Sequence, residues 1–146
     1  MTGLWDWAVT AYARPGVEAV CLDLQDRQHQ SVPYLLWAAW VAGEGGQPGP
    51  KTVAEAIALC RTWEAEIIAP LRAVRRRLHG PGREAVHESV GSAELAAERA
   101  LMEALDALAV APAARDDAQD VVTQVARAWS PMADPATLKL LATLLR

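Results

Sequence analysis

Apolar residues recur at intervals of three and four along most of this chain, which is the period of an amphipathic helix. No stretch alternates strictly between apolar and polar residues, as a half-buried strand would. The first three helices are predicted over 4–12, over 15–28 and, after a capping residue at Ser31, over 34–41. The third is apolar on every side, so we expect it in the middle of a core.

A much longer helix is predicted between a capping box formed by Thr52 and Glu55 and the turn Gly80-Pro81-Gly82. Pro70 falls inside its apolar pattern. Because proline lacks a backbone N–H and its ring clashes with the preceding turn, we expect a kink or break near 66–67.

Three further helices are predicted over 83–110, over 116–129 and, after a cap at Asp134, over 138–145. The first of them is weakened at Gly91. Pro112 ends the first and separates it from the second. The pattern as a whole predicts an all-α fold, a compact bundle of about six to seven helices that includes one long, Pro-kinked helix.

Composition is consistent with a single helical domain over 1–146, since 52% of the residues are hydrophobic and only 22% are charged. The formal net charge of −4 gives no general attraction to nucleic acids or to anionic membranes. The longest near-apolar run, 32–42, is too short to span a bilayer. No export signal is visible, and Cys21 and Cys60 lie far apart, so we expect a cytoplasmic protein with reduced thiols.

Six short runs in the first two thirds of the chain resemble a known family. They are Leu4-Trp5-Asp6-Trp7, Tyr12-Ala13-Arg14-Pro15-Gly16-Val17, Cys21-Leu22-Asp23-Leu24-Gln25-Asp26-Arg27, Leu35-Leu36-Trp37-Ala38-Ala39-Trp40, Arg72-Ala73-Val74-Arg75-Arg76 and Glu94-Leu95-Ala96-Ala97-Glu98-Arg99.

These runs resemble a family of short helical proteobacterial proteins that is classed as a domain of unknown function. The resemblance covers about 4–105 and departs from the family at Gln30 and Pro33, where the family tends to have Gly and Asn. It implies a bacterial, cytoplasmic, helical protein and carries over no activity, ligand or catalytic residue. The helices over 115–146 lie outside it, and their docking is left open.

Three glutamates fall on helix faces that are otherwise apolar. Glu98 lies inside the apolar stripe of its predicted helix, Glu94 lies at the edge of that stripe, and Glu64 lies among apolar residues of the long helix. A buried carboxylate must be paired, because an unpaired one costs several kcal/mol, and an arginine pairs with it through two hydrogen bonds. The cluster is therefore predicted as either a structural network or a functional polar pocket. Its members are Arg61, Glu64, Glu94 and Glu98, flanked by Arg72 and Arg75.

Cations gather at the end of the long helix, where 67–83 contains no acidic residue and the chain that follows is acidic. Pairing within the chain and interaction with the helix dipole are one explanation. Docking of an acidic partner is another, and nucleic acid binding through the same arginines is a third. The proposed partner contacts are Arg72, Arg75, Arg76, Arg77, Arg83 and Trp7, the last because it lies off the apolar face of its helix.

No catalytic motif or phosphate-binding loop is present. Glu84 and His87 form one Glu-x-x-His motif, whereas a di-iron bundle needs two, so no metal or cofactor is predicted. The favoured hypothesis is a non-catalytic cytoplasmic adaptor that binds a protein partner through its Arg-rich helix end. The alternative is a small-ligand-binding protein or enzyme with a Glu/Arg pocket between helices. The Leu-rich helix over 138–145 is expected either to dock on its own core or to form a homo-oligomer interface.

Overall fold

The computed structural model of the chain describes residues 2–112 and 118–146. A π-helical segment, Glu64–Ile68, joins α4 to α5 without interruption, so the described residues form seven helices and confirm the predicted all-α bundle. The start of the helix predicted at Asp116 lies outside the described residues. The elements are α1 (Leu4–Tyr12), α2 (Val17–Gln28), α3 (Val32–Gly43), β1 (Gly46–Gln47), α4 (Pro50–Trp63), α5 (Ala69–Arg77), α6 (Glu84–Asp106), β2 (Ala111–Pro112), α7 (Ala118–Trp129) and α8 (Pro135–Leu144).

Helix α3 lies at the centre of the bundle, as its apolar composition predicts. Eight of its twelve residues are buried, and α1, α2, α6 and α7 pack around it. The Ser31 hydroxyl accepts a hydrogen bond from the Tyr34 N–H and so caps the helix as predicted. The Tyr34 hydroxyl donates to the carbonyl of Val125 at 2.6 Å, which ties α7 to this central helix.

The predicted irregularity of the long helix takes the form of a π turn immediately before Pro70. The Ala69 N–H donates to the carbonyl of Glu64, one residue further back than in an α-helix. Pro70 has no N–H to offer the carbonyl of Glu66, and its ring would crowd that carbonyl in a regular turn. The wider turn relieves this crowding and lets the helix continue to Arg77.

Several predicted helix boundaries are wrong: α2 begins at Val17 instead of Pro15, and α8 begins at Pro135 instead of 138. Helix α4 begins at Pro50 instead of the capping box, and the Thr52 hydroxyl donates to the carbonyl of Ala109 at 3.0 Å. Helix α6 continues through Gly91 but ends at Asp106, short of 110. The Asp106 carboxylate accepts a hydrogen bond from the N–H of Leu4, and the chain beyond it turns toward β1.

The loop after α3 contains a two-residue strand that the sequence pattern does not predict. Gly46 pairs with Pro112 and Gln47 with Ala111 in an antiparallel register. A side chain at Gly46 would place its Cβ only 2.9 Å from a methyl group of Val110, so the close approach of the two segments requires glycine there.

The C-terminal helices dock on the chain's own core. Helix α7 packs against α3, and α8 packs against α2 and α7. Leu138, Leu141 and Leu145 are buried, whereas Leu140 is exposed. The side chain of Asp134 caps α8, as predicted. Within the described ranges, no helix combines the length and the apolar character needed to cross a membrane.

Candidate functional site

A cleft of about 490 Å³ opens between α1, α2 and α3 on one side and the π-helical segment, α5 and α6 on the other. Its volume lies within the range of small-molecule pockets. The wall is largely apolar and includes Trp5, Val9, Leu22, Leu36, Leu95 and Met102. Polar groups converge on it from four elements, and they include Tyr12, Glu64, Arg72, Arg76, Glu94 and Glu98.

The π turn brings four residues of the long helix onto this cleft at intervals of four: Glu64, Ile68, Arg72 and Arg76. In a regular α-helix each step of four drifts by about 40°, so the four positions would spread over about 120°. A π turn contains more residues per turn and so offsets part of this drift. Glu64 and Arg72, eight positions apart, are consequently close enough for their side chains to form an ion pair at 3.1 Å.

Two arginines and three glutamates form one cluster along the wall of the cleft. Arg72 contacts Glu64 and Glu94 at 3.1 Å each and reaches Glu98 only at 3.8 Å. Arg75 pairs with the second carboxylate oxygen of Glu94. Glu94 thus uses both of its oxygens, whereas Glu98 accepts no side-chain hydrogen bond from the described part of the chain. The cluster carries one more carboxylate than guanidinium.

The pKa values of the two carboxyl groups on α6 are shifted in opposite directions. Burial alone would raise the pKa of Glu94, but the hydrogen bonds and charges of Arg75 and Arg72 outweigh it and lower that pKa. Burial raises the pKa of Glu98, and the negative charges of Glu94 and Glu64 raise it further against the smaller opposing effect of the arginines. Glu98 is therefore the member of the cluster that most readily takes up a positive charge, either a proton or a cation.

Helix α1 contributes two aromatic residues to the cleft, Trp5 and Tyr12. Burial raises the pKa of Tyr12, and the negative charge of Glu98 adds to the effect. Their position beside a polar cluster was not foreseeable, because it depends on how α1 packs against α6.

The structure brings together Glu64, Glu94 and Glu98 but not Arg61, the fourth predicted member of the polar cluster. The guanidinium of Arg61 lies 5.0 Å from the centre of the Trp129 ring, on the α7 side of the bundle. The helical wheel places Arg61, Arg72 and Arg75 on the flank of Glu64, and of these three Arg72 is the one that pairs with it in the structure.

The predicted partner contacts divide into two groups. Arg72 and Arg75 are engaged in the cluster, and Trp7 is half-buried against the core, so none of the three is a free surface group. Arg76, Arg77 and Arg83 are exposed, and within the described residues none lies within 4.0 Å of a carboxylate. Arg83 donates to the carbonyl of Arg77 at 3.3 Å, which holds these two at the end of the α5–α6 hairpin.

The part of the chain that forms the cleft matches one known protein family. Residues 3–105 match the family model described as a protein of unknown function (DUF2390). No curated protein and no solved structure matches the chain. All residues that line the cleft fall inside the matched region, whereas α7 and α8 fall outside it. Across the described residues, no group of three His, Cys, Asp or Glu side chains is placed to hold a metal ion.

Proposed function

This chain belongs to the DUF2390 family, a family of unknown function, so we propose a function from the geometry of the cleft alone. The protein binds a small amphipathic molecule in this cleft. The observation that carries the proposal is the combination of an apolar wall with a carboxylate, Glu98, that accepts no side-chain hydrogen bond from the described residues. Pockets that bind small molecules have this composition, with a few polar groups on a mainly apolar lining that orient the ligand.

Binding is a better account of this lining than catalysis. Among the cleft residues that the structure describes there is no serine, cysteine or histidine, and so no Ser–His or Cys–His pair. Glu64 and Glu94 are engaged with Arg72 and Arg75, which hold the two helices together. The polar groups of the cleft outside these short ion pairs are Tyr12, Gln25, Arg76 and Glu98.

The proposal is tested with N-phenyl-1-naphthylamine, an uncharged dye whose fluorescence rises in apolar sites. The wild-type protein is expected to show saturable enhancement with one site per chain. Leu95 and Val86 are both exposed apolar residues of α6, but only Leu95 lines the cleft. Leu95→Arg should therefore weaken dye binding at least tenfold, while Val86→Arg leaves it unchanged. Equal binding by both variants, or no saturable binding to the wild type, contradicts the proposal.

A second candidate function rests on the end of the α5–α6 hairpin. Arg76, Arg77 and Arg83 project there with no carboxylate within 4.0 Å in the described residues, and the rings of His79 and His87 lie 6.4 Å apart. We propose this surface as a docking site for an acidic protein, which adds a partner to the ligand-binding role. Charge complementarity favours an acidic surface over an apolar one.

This second candidate is tested with a labelled poly-glutamate peptide. The triple substitution of Arg76, Arg77 and Arg83 by Glu leaves the internal cluster intact, and it should abolish binding that weakens as salt is raised. Preferential retention of single-stranded DNA would favour nucleic acid instead, and retained peptide binding by the triple variant would show that the surface is wrongly assigned.

We also propose that the protein acts in the bacterial cytoplasm. Cys21 and Cys60 are buried free thiols, and structural disulfides are rare in that compartment. Localisation of a fluorescent fusion in intact bacterial cells tests this assignment.

A further inference from the structure

Resting on the proposed function, we propose that the ligand of the cleft is an amphipathic amine whose ammonium group pairs with the carboxylate of Glu98. The apolar part of the ligand would lie against the wall formed by α1, α2 and α6. The inference names the chemical class of the ligand and the residue that selects it.

The cluster contains more carboxylates than guanidiniums. Three carboxylates face two guanidiniums, and the distances show which carboxylate is left over. Arg72 lies 3.1 Å from Glu64 and from Glu94 but 3.8 Å from Glu98, too far for a hydrogen bond. A ligand cation at Glu98 would balance the cluster without breaking any existing pair.

Glu98 is faced by charged and titratable groups from every element packed around it. These are Glu94 on its own helix, Glu64 on the π-helical segment, Arg72 and Arg75 on α5, and Tyr12 on α1. Burial is the largest cause of the raised pKa of Glu98; the negative charges of Glu94 and Glu64 also favour a cation there, and the smaller effects of the two arginines oppose it. The surroundings therefore attract positive charge to this position.

The aromatic residues of α1 point to the same ligand class. Trp5 and Tyr12 line the cleft together with Glu98, and aromatic rings attract ammonium groups through their negative faces. The guanidinium of Arg99 already lies 5.8 Å from the centre of the Trp5 ring, so that ring has a cation partner within the chain. An anionic ligand would have no comparable partner near Glu98, because Arg72 and Arg75 are occupied by glutamates. Arg76 also lines the cleft, but its charge is not among those that act on Glu98.

The test compares three probes with the same eight-carbon chain: octylamine, 1-octanol and octanoate. The affinity of each probe is measured by its displacement of the naphthylamine dye from the protein at pH 7. Octylamine should bind about tenfold more tightly than 1-octanol, since a charge-assisted hydrogen bond is worth about that factor. Octanoate should bind more weakly than either.

The variants assign this preference to Glu98. Glu98→Gln should bind octylamine and 1-octanol with similar affinity while it retains the affinity for 1-octanol. Glu103→Gln removes a carboxylate on the exposed face of the same helix and should leave the preference unchanged. In the wild type, the preference should fall as pH is lowered through the raised pKa of Glu98, because the protonated carboxyl no longer carries charge. This measurement requires no variant.

The outcomes separate the inference from the function on which it rests. Equal affinities for octylamine and 1-octanol overturn the cation inference but leave a small-molecule cleft in place. Tighter binding of octanoate also overturns it and points to recognition of an anion at Arg76. Failure of all three probes and of the dye to bind overturns the proposed function itself.

Discussion

Glu94 provides the sharpest test of what the ion-pair cluster contributes to stability. Its side chain is 9% exposed and accepts hydrogen bonds from Arg72 and Arg75. Hydrogen bonds to charged groups contribute about 1.5–3 kcal/mol, and breaking a fully buried ion pair costs about 3–5 kcal/mol. The two guanidiniums are 25% and 31% exposed, so water replaces part of what is lost.

We therefore expect Glu94→Gln to lower the free energy of unfolding by about 2 kcal/mol. With a urea m-value of about 2 kcal/mol/M, the unfolding midpoint should fall by about 1 M. The matched control is Glu103→Gln on the same helix. Glu103 pairs with Arg99 at 3.0 Å, but both side chains are more than half exposed. That substitution should cost less than about 0.5 kcal/mol.

Glu98→Gln should act in the opposite direction, although Glu98 lies only one turn from Glu94. The raised pKa of Glu98 means that its charged form is disfavoured in the folded state. A carboxyl with a raised folded-state pKa contributes stability below its unfolded pKa and loses that contribution as pH rises through the folded value. At pH 7 the amide should thus be at least as stable as the wild type. Urea unfolding, followed by tryptophan fluorescence, measures all three variants. The reasoning is refuted if Glu94→Gln matches Glu103→Gln, or if Glu98→Gln is as destabilising as Glu94→Gln.

Three further predictions concern the rest of the molecule. The lowered pKa of Glu94 means that its carboxylate stabilises the protein above about pH 4.5 and loses this effect as pH falls through the folded-state pKa. The urea midpoints of the wild type and Glu94→Gln should therefore converge at acid pH, and a constant difference between them would contradict this. Burial raises the pKa of the Cys21 and Cys60 thiols to about 12, so a thiol reagent such as Ellman's should react with both only after unfolding, and rapid reaction of the native protein would contradict their placement. Leu141→Ala should destabilise the protein by about 2–5 kcal/mol, whereas Leu140→Ala, one residue away but exposed, should stay within about 0.5 kcal/mol in the same urea assay. Similar losses for the two leucines would contradict the docking of α8.

The parts of the fold that sequence predicts correctly depend on neighbouring residues. The caps at Ser31 and Asp134 and the burial of the all-apolar α3 are set within a few residues along the chain. The short β1–β2 pair depends on segments more than fifty residues apart, whereas the true start of α4 follows a local signal, the proline in its first turn. A capping box at Thr52 is a valid local signal, yet the hydroxyl instead bonds the carbonyl of Ala109. Local signals of this kind are overridden when a distant partner reaches the same group.

The candidate site was predictable in its residue types but not in its pairing. The helical wheel identifies Glu64 and the two glutamates of α6 as carboxylates on apolar faces, and arginines as their partners. It assumes a constant 100° per residue, which puts Arg61 beside Glu64. The π turn changes the angle between positions before and after it, and Glu64 pairs with Arg72, one of the three arginines predicted on its flank. In the sequence, Pro70 indicates that the helix is irregular at this point, but it does not distinguish a π turn from a kink or a break.

The different roles of the glutamates on α6 follow from helical geometry. Positions four apart on an α-helix differ by about 40° in direction, so Glu94 and Glu98 share a face but are rotated relative to each other. Glu94 faces α5, and a Cβ added at Gly91, one turn earlier, would lie 3.6 Å from the stem of Arg75, an ordinary contact. Glu98 is rotated away from α5 and lies beside Tyr12 of α1. The rotation that gives Glu94 two short ion pairs therefore leaves Glu98 with only the longer 3.8 Å contact to Arg72. For this reason a cluster that holds two helices together can also present a negative charge to the cleft.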